Sequence, residues 1–286
     1  MMRAQAVLDS AAGLAPFGHV AWGYQNRAEF LSRAAEYIAD GLRQNQFIVY
    51  AAQGTRETLR AELAAMPGVG EYLGSGRITA IPAQDYFVYL SGSDVVDADA
   101  ALARYLSVLE WAIANGYTGV RAIANVTPVA RTAVQRDALA RLEYLIDQRM
   151  AVLPVAALCA YDTGVLGAAA EELICLHPFV SEGSVKFRLY ADPDADVDFA
   201  LAGEIDASAD ALFETTLRRV WPLESGHTLR IDAQRLTFIS HQQLVMLEER
   251  AREQDSKVQL WTEQPVINRL VDVLGLRHVR ADAKPV

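Results

Sequence analysis

The chain has 286 residues, 26 lysines and arginines against 36 aspartates and glutamates, and a formal net charge of −10, which argues against duplex nucleic acid and anionic membranes as partners. Hydrophobic residues make up 52% and charged residues 22%, excluding a disordered chain and fitting one large or two ordinary domains, of which two is the expectation. Its two cysteines, Cys159 and Cys175, exclude a disulfide framework and form no CxxC pair.

Residues 1–17 read as an N-terminal arm whose weak apolar run is broken by Asp9, too poor for a secretory signal. No apolar stretch approaches the roughly 20 residues that a spanning helix requires, so a cytoplasmic protein is expected. A helix then opens at Asn26 as N-cap, with Glu29 completing a capping-box pattern and Phe30, Leu31, Ala34, Ile38 and Leu42 on one apolar face. The strand FIVYAA follows, and Gly54 and Thr55 turn the chain into a second helix. GRITAIPA, GVRAIANV and PVAALCAYD read as further strands, separated by the helices DADAALARYLSVLEWAIANG and RTAVQRDALARLEYLIDQRM. Such alternation predicts an α/β fold with a mainly parallel sheet covered on both faces. YLSGSDVVDADA is the expected mobile loop.

The rhythm stops after CLHPFVSEGS, with residues 181–184 as linker. The strands VKFRLYA and VDFALAG follow, and then helix, strand, helix, strand and helix give β-β-α-β-α-β-α over residues 185–280. Residues 281–286 lie in a tail, RADAKPV, expected to fray.

This second unit resembles the STAS domain of anti-sigma factor antagonists and sulfate transporters, through ALAGEIDASADALFETTL, TLRIDAQRLTFIS and VQLWTEQPVINRLVDVLGL. Gly203, Glu204, Ile205 and Asp206 match the family's corner after the second strand, and Leu274, Gly275 and Leu276 its closing motif. In the antagonists, the next strand-to-helix turn holds a serine phosphorylated by a partner kinase that is also the anti-sigma factor. Here Ser240 takes the position of that turn's aspartate, His241 that of its first serine, Gln242 that of the phosphoacceptor and Gln243 that of its glycine. Glutamine cannot carry the phosphate, whose added charge would remodel a docking surface. Ser240 reads as a helix cap, with phosphorylation from a shifted position, or a constitutive docking face, as the functional alternatives. The resemblance implies an anti-sigma factor or related kinase-like protein as partner, docking on Asp206, Ser208, Ser240, His241 and Gln242.

The first unit, residues 18–180, resembles the MEDS sensory domain through GHVAWGY, FLSRAAEYIADGLRQNQFIVYAAQG, LPVAALCAYD and ELICLHPFV. The resemblance implies a RecA-like sheet and a sensing role. A working P-loop needs a lysine that YAAQGTRETL lacks, and Asn125 stands where a terminal acid would be needed. With no GxSxG, HExxH or GxGxxG pattern either, no enzyme is expected. A sensor cleft beyond the strand ends would draw on Gln53, Gly54, Thr55, Arg56, Asn125, Tyr161 and Asp162, with His19, Trp22 and Tyr24 beside it. Taken singly, Trp22 and Tyr24 read more readily as core or groove-wall aromatics, and His19 as a histidine hydrogen-bonded to backbone, than as ligand-binding residues. The cysteines read as inert core thiols. Cys175 and His177 would be half of a metal site, but a closed zinc site requires four ligands, so neither metal nor cofactor is expected.

The leading reading is a regulator in which a MEDS-like sensor, open to a small-molecule effector, controls a STAS-like interaction domain in a sigma-factor pathway, with a homo-oligomer compatible. The alternative is a small-molecule or nucleotide-binding protein whose second unit is a structural or dimerising module.

Overall fold

The computed structural model describes residues 4–14, 18–194, 196–224 and 226–284. These fall into two compact units, Gln5–Ser184 and one beginning at Val185.

In chain order the first unit contains β1 (Ala6–Leu8), β2 (His19–Tyr24), α1 (Arg27–Arg43), β3 (Phe47–Ala52), α2 (Arg56–Ala65), β4 (Ile78–Pro82), α3 (Ala83–Tyr86) and α4 (Ala98–Ala114). It continues with β5 (Val120–Asn125), α5 (Ala133–Met150), β6 (Val155–Asp162), α6 (Thr163–Leu166), α7 (Glu171–Ile174) and β7 (Phe179–Ser181). The seven strands form one sheet in the order β1-β7-β2-β6-β5-β3-β4, with every pairing parallel. The mainly parallel, helix-flanked α/β sheet read from the sequence is therefore present. β3 and β5 are buried at every position, which is why they read as continuous apolar runs rather than alternating ones.

Successive side chains of a strand point to opposite faces. Val20, Trp22, Tyr24, Ile48, Tyr50, Ile123 and Leu158 join the core that holds Phe30, Ala34 and Ile38 of α1 and Leu59 and Leu63 of α2. His19, Val49, Ala122, Ala124, Ala157 and Cys159 face the other way, toward α4 and α5. Gly41 lets α1 approach the sheet: a Cβ there would lie 2.5 Å from Ile48 Cδ1 and 2.8 Å from Arg121 Cδ. Buried Arg121 is satisfied by Gln46 Oε1 at 2.7 Å and the carbonyls of Tyr37 and Leu14, as a charge taken out of water must be.

Three local expectations change. Within the expected N-terminal arm, Ala6–Leu8 forms an edge strand paired with β7, whereas residues 1–3 and 15–17 lie outside the described residues. Asn26 accepts from the Glu29 amide at 3.0 Å, but the Glu29 carboxylate returns to the Gln25 amide rather than to Asn26. The stretch expected as a mobile loop closes in an antiparallel bridge between Tyr89 and Val96, where Gln135 Nε2 holds Asp94 Oδ2 at 3.0 Å.

The second unit contains β8 (Phe187–Tyr190), β9 (Phe199–Ile205), α8 (Asp210–Val220), β10 (Thr228–Ile239), α9 (His241–Glu253), β11 (Lys257–Trp261), α10 (Pro265–Leu274) and β12 (Val279–Asp282). Its five-stranded sheet runs β12-β11-β10-β9-β8. Only β8, which pairs with β9, is antiparallel. β12 corrects the expectation of fraying, since Ala281 and Asp282 pair with Leu260 and Trp261. Lys284 then bonds Asp232 Oδ2 at 3.2 Å.

Candidate functional site

The sequence of α5 places Glu143 and Asp147 four residues apart, on one helical face, among the buried Leu139, Leu142, Ile146 and Met150. Two acids within an apolar stripe require partners. The sheet supplies them because β2 and β6 are neighbours in a register that sets His19 opposite Ala157 and Ala21 opposite Cys159, so His19 and Cys159 lie on the face that α5 covers. His177 enters from the segment between α7 and β7, and β7 is the other neighbour of β2.

His19 Nδ1 lies 3.0 Å from Asp147 Oδ1, and its Nε2 lies 3.2 Å from Glu143 Oε2. Cys159 Sγ is 3.5 Å from both His19 Nε2 and Glu143 Oε2. Tyr161 donates its hydroxyl to Glu143 Oε1 at 2.9 Å, and the His177 ring lies tilted against His19 at a centroid distance of 4.0 Å. His177 Nδ1 bonds the Leu173 carbonyl at 3.1 Å, whereas its Nε2 stands 3.6 Å from Glu143 Oε2 with no hydrogen-bond partner. All of these groups are buried.

Burial disfavours a charge on His19, but its hydrogen bonds to Asp147 and Glu143 outweigh this and raise its pKa. His177 moves the other way, lowered by burial and by the adjacent His19. Burial opposes ionisation of Glu143 too, yet the two imidazoles hold its carboxyl well below the usual carboxylate range. Burial and the Glu143 carboxylate push the Cys159 thiol well above its ordinary value. Both causes oppose formation of the Cys159 thiolate in the absence of a bound cation.

Beside this cluster lies a partly open cavity of about 120 Å³. Val49, Ala122, Leu139, Ile146 and Ala157 are among the residues that make its wall apolar, while His19, Glu143 and Cys159 form a polar end. An apolar site with a few convergent polar groups is the usual form of a small-molecule pocket.

Residues 18–178 match the family described as MEDS, the methanogen/methylotroph, DcmR sensory domain. The chain belongs to the MEDS family. No curated protein matches it. Family membership supports a sensor or signalling role, and no helix among the described residues is long and apolar enough to cross a membrane.

The residues expected to share one cleft in the MEDS domain fall in four places. His19 and Tyr161 meet in the buried cluster. Tyr24, Asn125 and Asp162 gather at the carboxyl ends of β2, β5 and β6: Asn125 Nδ2 donates to Tyr24 Oη at 2.9 Å, its Oδ1 accepts from the Thr127 amide at 3.1 Å, and Thr127 Oγ1 accepts from the Asp162 amide at 2.9 Å. Trp22 lies on the opposite face of the sheet from His19, beneath the Arg33 guanidinium. Gln53, Gly54, Thr55 and Arg56 are exposed, and the Thr55 hydroxyl caps α2 by accepting from the Thr58 amide. Cys175 is buried but outside the His177 cluster. The sequence reading missed Glu143, Asp147 and the partnership of Cys159 with His19. Acids at i and i+4 on an apolar helix face were the available signal.

In the second unit, Asp206 caps the segment after β9, accepting from the Ser208 amide and hydroxyl. Lys186 bonds Asp206 Oδ2 at 2.8 Å and, with Ser208, holds the Asp206 carboxyl down to about 2. Ser240 and Gln243 form the capping box of α9, with the Ser240 amide donating to Gln243 Oε1 at 3.1 Å. Gln243 Nε2 reaches back to the Asp206 carbonyl at 3.2 Å and to the Asp210 carboxylate. The two turns expected to dock a partner are therefore tied together, leaving Ser208, His241 and Gln242 exposed.

Proposed function

We propose that this chain is a non-enzymatic signalling protein in which the MEDS domain receives a small apolar effector and the second unit passes the signal to a protein partner. The observation that carries this reading is the apolar cavity ending at the buried His19, Glu143 and Cys159, inside a domain of a sensory family. A cavity of this order accepts benzene-sized ligands. Such an effector shifts the protein only by binding one of its conformations better than another.

The second unit's order of elements, its corner at residues 203–206 and its paired turns support a STAS-like reading, with an anti-sigma factor or kinase-like relative as partner. Gln242 stands at the phosphoacceptor position and the Ser240 hydroxyl is engaged with Gln243, so control comes from the effector rather than from phosphate on this turn. The test uses the full chain as bait in lysate of its native host, with retained proteins identified by mass spectrometry. A kinase-like regulator held by the wild type and lost from the double variant His241→Ala, Gln242→Ala is the expected result. Retention of no such protein, or equal retention by both, contradicts the reading.

A further inference from the structure

Two imidazoles, a carboxylate and a thiol converge in the MEDS domain. Asp147 Oδ1 and the Leu173 carbonyl are acceptors only, so each fixes a proton on the Nδ1 that it meets. The Nε2 atoms of His19 and His177 are thereby the metal-binding nitrogens of the usual tautomer. Glu143 spends Oε1 on the Tyr161 hydroxyl and turns Oε2 inward, toward Cys159 Sγ and both imidazoles. A proton on His19 Nε2 satisfies only the contact with Glu143. It leaves His177 Nε2, fully buried and without a hydrogen-bond partner, facing a carboxylate oxygen at 3.6 Å. His177 Nε2 is then a buried acceptor facing another acceptor, without the compensation that buried polar groups require.

We propose that His19 Nε2, Glu143 Oε2, Cys159 Sγ and His177 Nε2 bind a borderline divalent cation, zinc first, in a four-coordinate site. The four atoms all lie within 4.8 Å of one another. Metal bonds of the length zinc makes to nitrogen, oxygen and sulfur set tetrahedral ligand atoms about 3.3–3.6 Å apart. Four of the six separations, 3.2 Å, 3.5 Å, 3.5 Å and 3.6 Å, lie within or close to that range, and the two from His177 Nε2 to His19 Nε2 and Cys159 Sγ lie within 4.8 Å. A mixed N, O and S donor set with one carboxylate favours zinc, cobalt or nickel over calcium or magnesium, which take oxygen ligands. Outer partners are in place as well: a carboxylate on His19, a backbone carbonyl on His177 and a phenol on Glu143, the arrangement that orients metal ligands. Binding displaces the Cys159 thiol proton and any proton on His19 Nε2, as the cation takes their places. The cavity reaches three of the four ligands and is the path in.

The inference rests on this cluster and involves neither effector nor partner, so its failure leaves the signalling reading untouched. The test is a titration of untagged full-length protein, stripped with a chelator, with cobalt chloride and then zinc chloride. One equivalent of cobalt is expected to give intense tetrahedral d–d bands with a thiolate-to-cobalt charge-transfer band, and zinc is expected to displace it. Cys159→Ser should lose the charge-transfer band and keep the d–d bands. His177→Gln should weaken affinity at least tenfold, with circular dichroism reporting whether each variant folds. Zinc-edge X-ray absorption of the wild type, which needs no variant, should find one sulfur among four neighbours. Absence of uptake, a six-coordinate spectrum, no sulfur neighbour, or folded variants with unchanged spectra and affinity would overturn the proposal.

Discussion

Gln243 shows how one side chain sets the shape of a candidate docking face. Its amide is buried, takes the Ser240 amide on its oxygen and gives its nitrogen to the Asp206 carbonyl and the Asp210 carboxylate. Removing one member of a buried hydrogen-bonded set leaves the others without partners, at a cost of about 1–3 kcal/mol. Gln243→Ala should therefore lower stability by that amount in urea unfolding of the second unit's transition. Gln243→Glu should cost more, because it sets a second carboxylate beside Asp210. A Gln243→Ala variant as stable as the wild type would show that the two turns are held together by other means. The sequence placed Gln243 at a family glycine and assigned it no role. Its partners Asp206 and Asp210 lie more than thirty residues earlier, and only the parallel register of β9 beside β10 brings them near.

At the level of elements, strands and helices were legible wherever the hydrophobic pattern ran long enough. FIVYAA, VRAIAN and VAALCAYD are continuous apolar runs between amphipathic helices, and they form adjacent parallel strands. β1 and β7 are three residues each, too short to carry a period, and exist because each is paired in the sheet. β12 escaped notice for a related reason: with Arg280 and Asp282 among its four residues, it looked like a polar tail until its pairing with β11 was visible. The corner after β9 is a different case, since Gly203 adopts φ +92 and a Cβ there would lie 2.3 Å from the Lys186 carbonyl oxygen. Backbone strain and overpacking combine at such a position. Gly203→Ala should cost about 2 kcal/mol or more in thermal unfolding, against a Gly74→Ala control within about 0.5 kcal/mol, because Gly74 has open space where a Cβ would stand. Equal effects of the two substitutions would remove the special status of the corner.

For the chain as a whole, the buried cluster is assembled from distant parts: His19 on β2, Glu143 on α5, Cys159 on β6 and His177 ahead of β7. The motifs GHVAWGY, LPVAALCAYD and ELICLHPFV each contribute one of these residues, which is why the family was legible and the site was not. No spacing in the sequence reveals that β2 lies between β6 and β7. The cluster also marks one end of the apolar cavity, the feature on which the signalling account turns. Thermal unfolding of the full chain in benzene-containing buffer tests that account most directly. Benzene at tenfold excess over its Kd stabilises a protein that binds it only when folded by about 1.4 kcal/mol, so the wild-type midpoint should rise. Ala157→Leu, which fills the cavity from β6, should abolish the rise while keeping the fold. No rise in the wild type, or the same rise in the filled variant, would contradict the account.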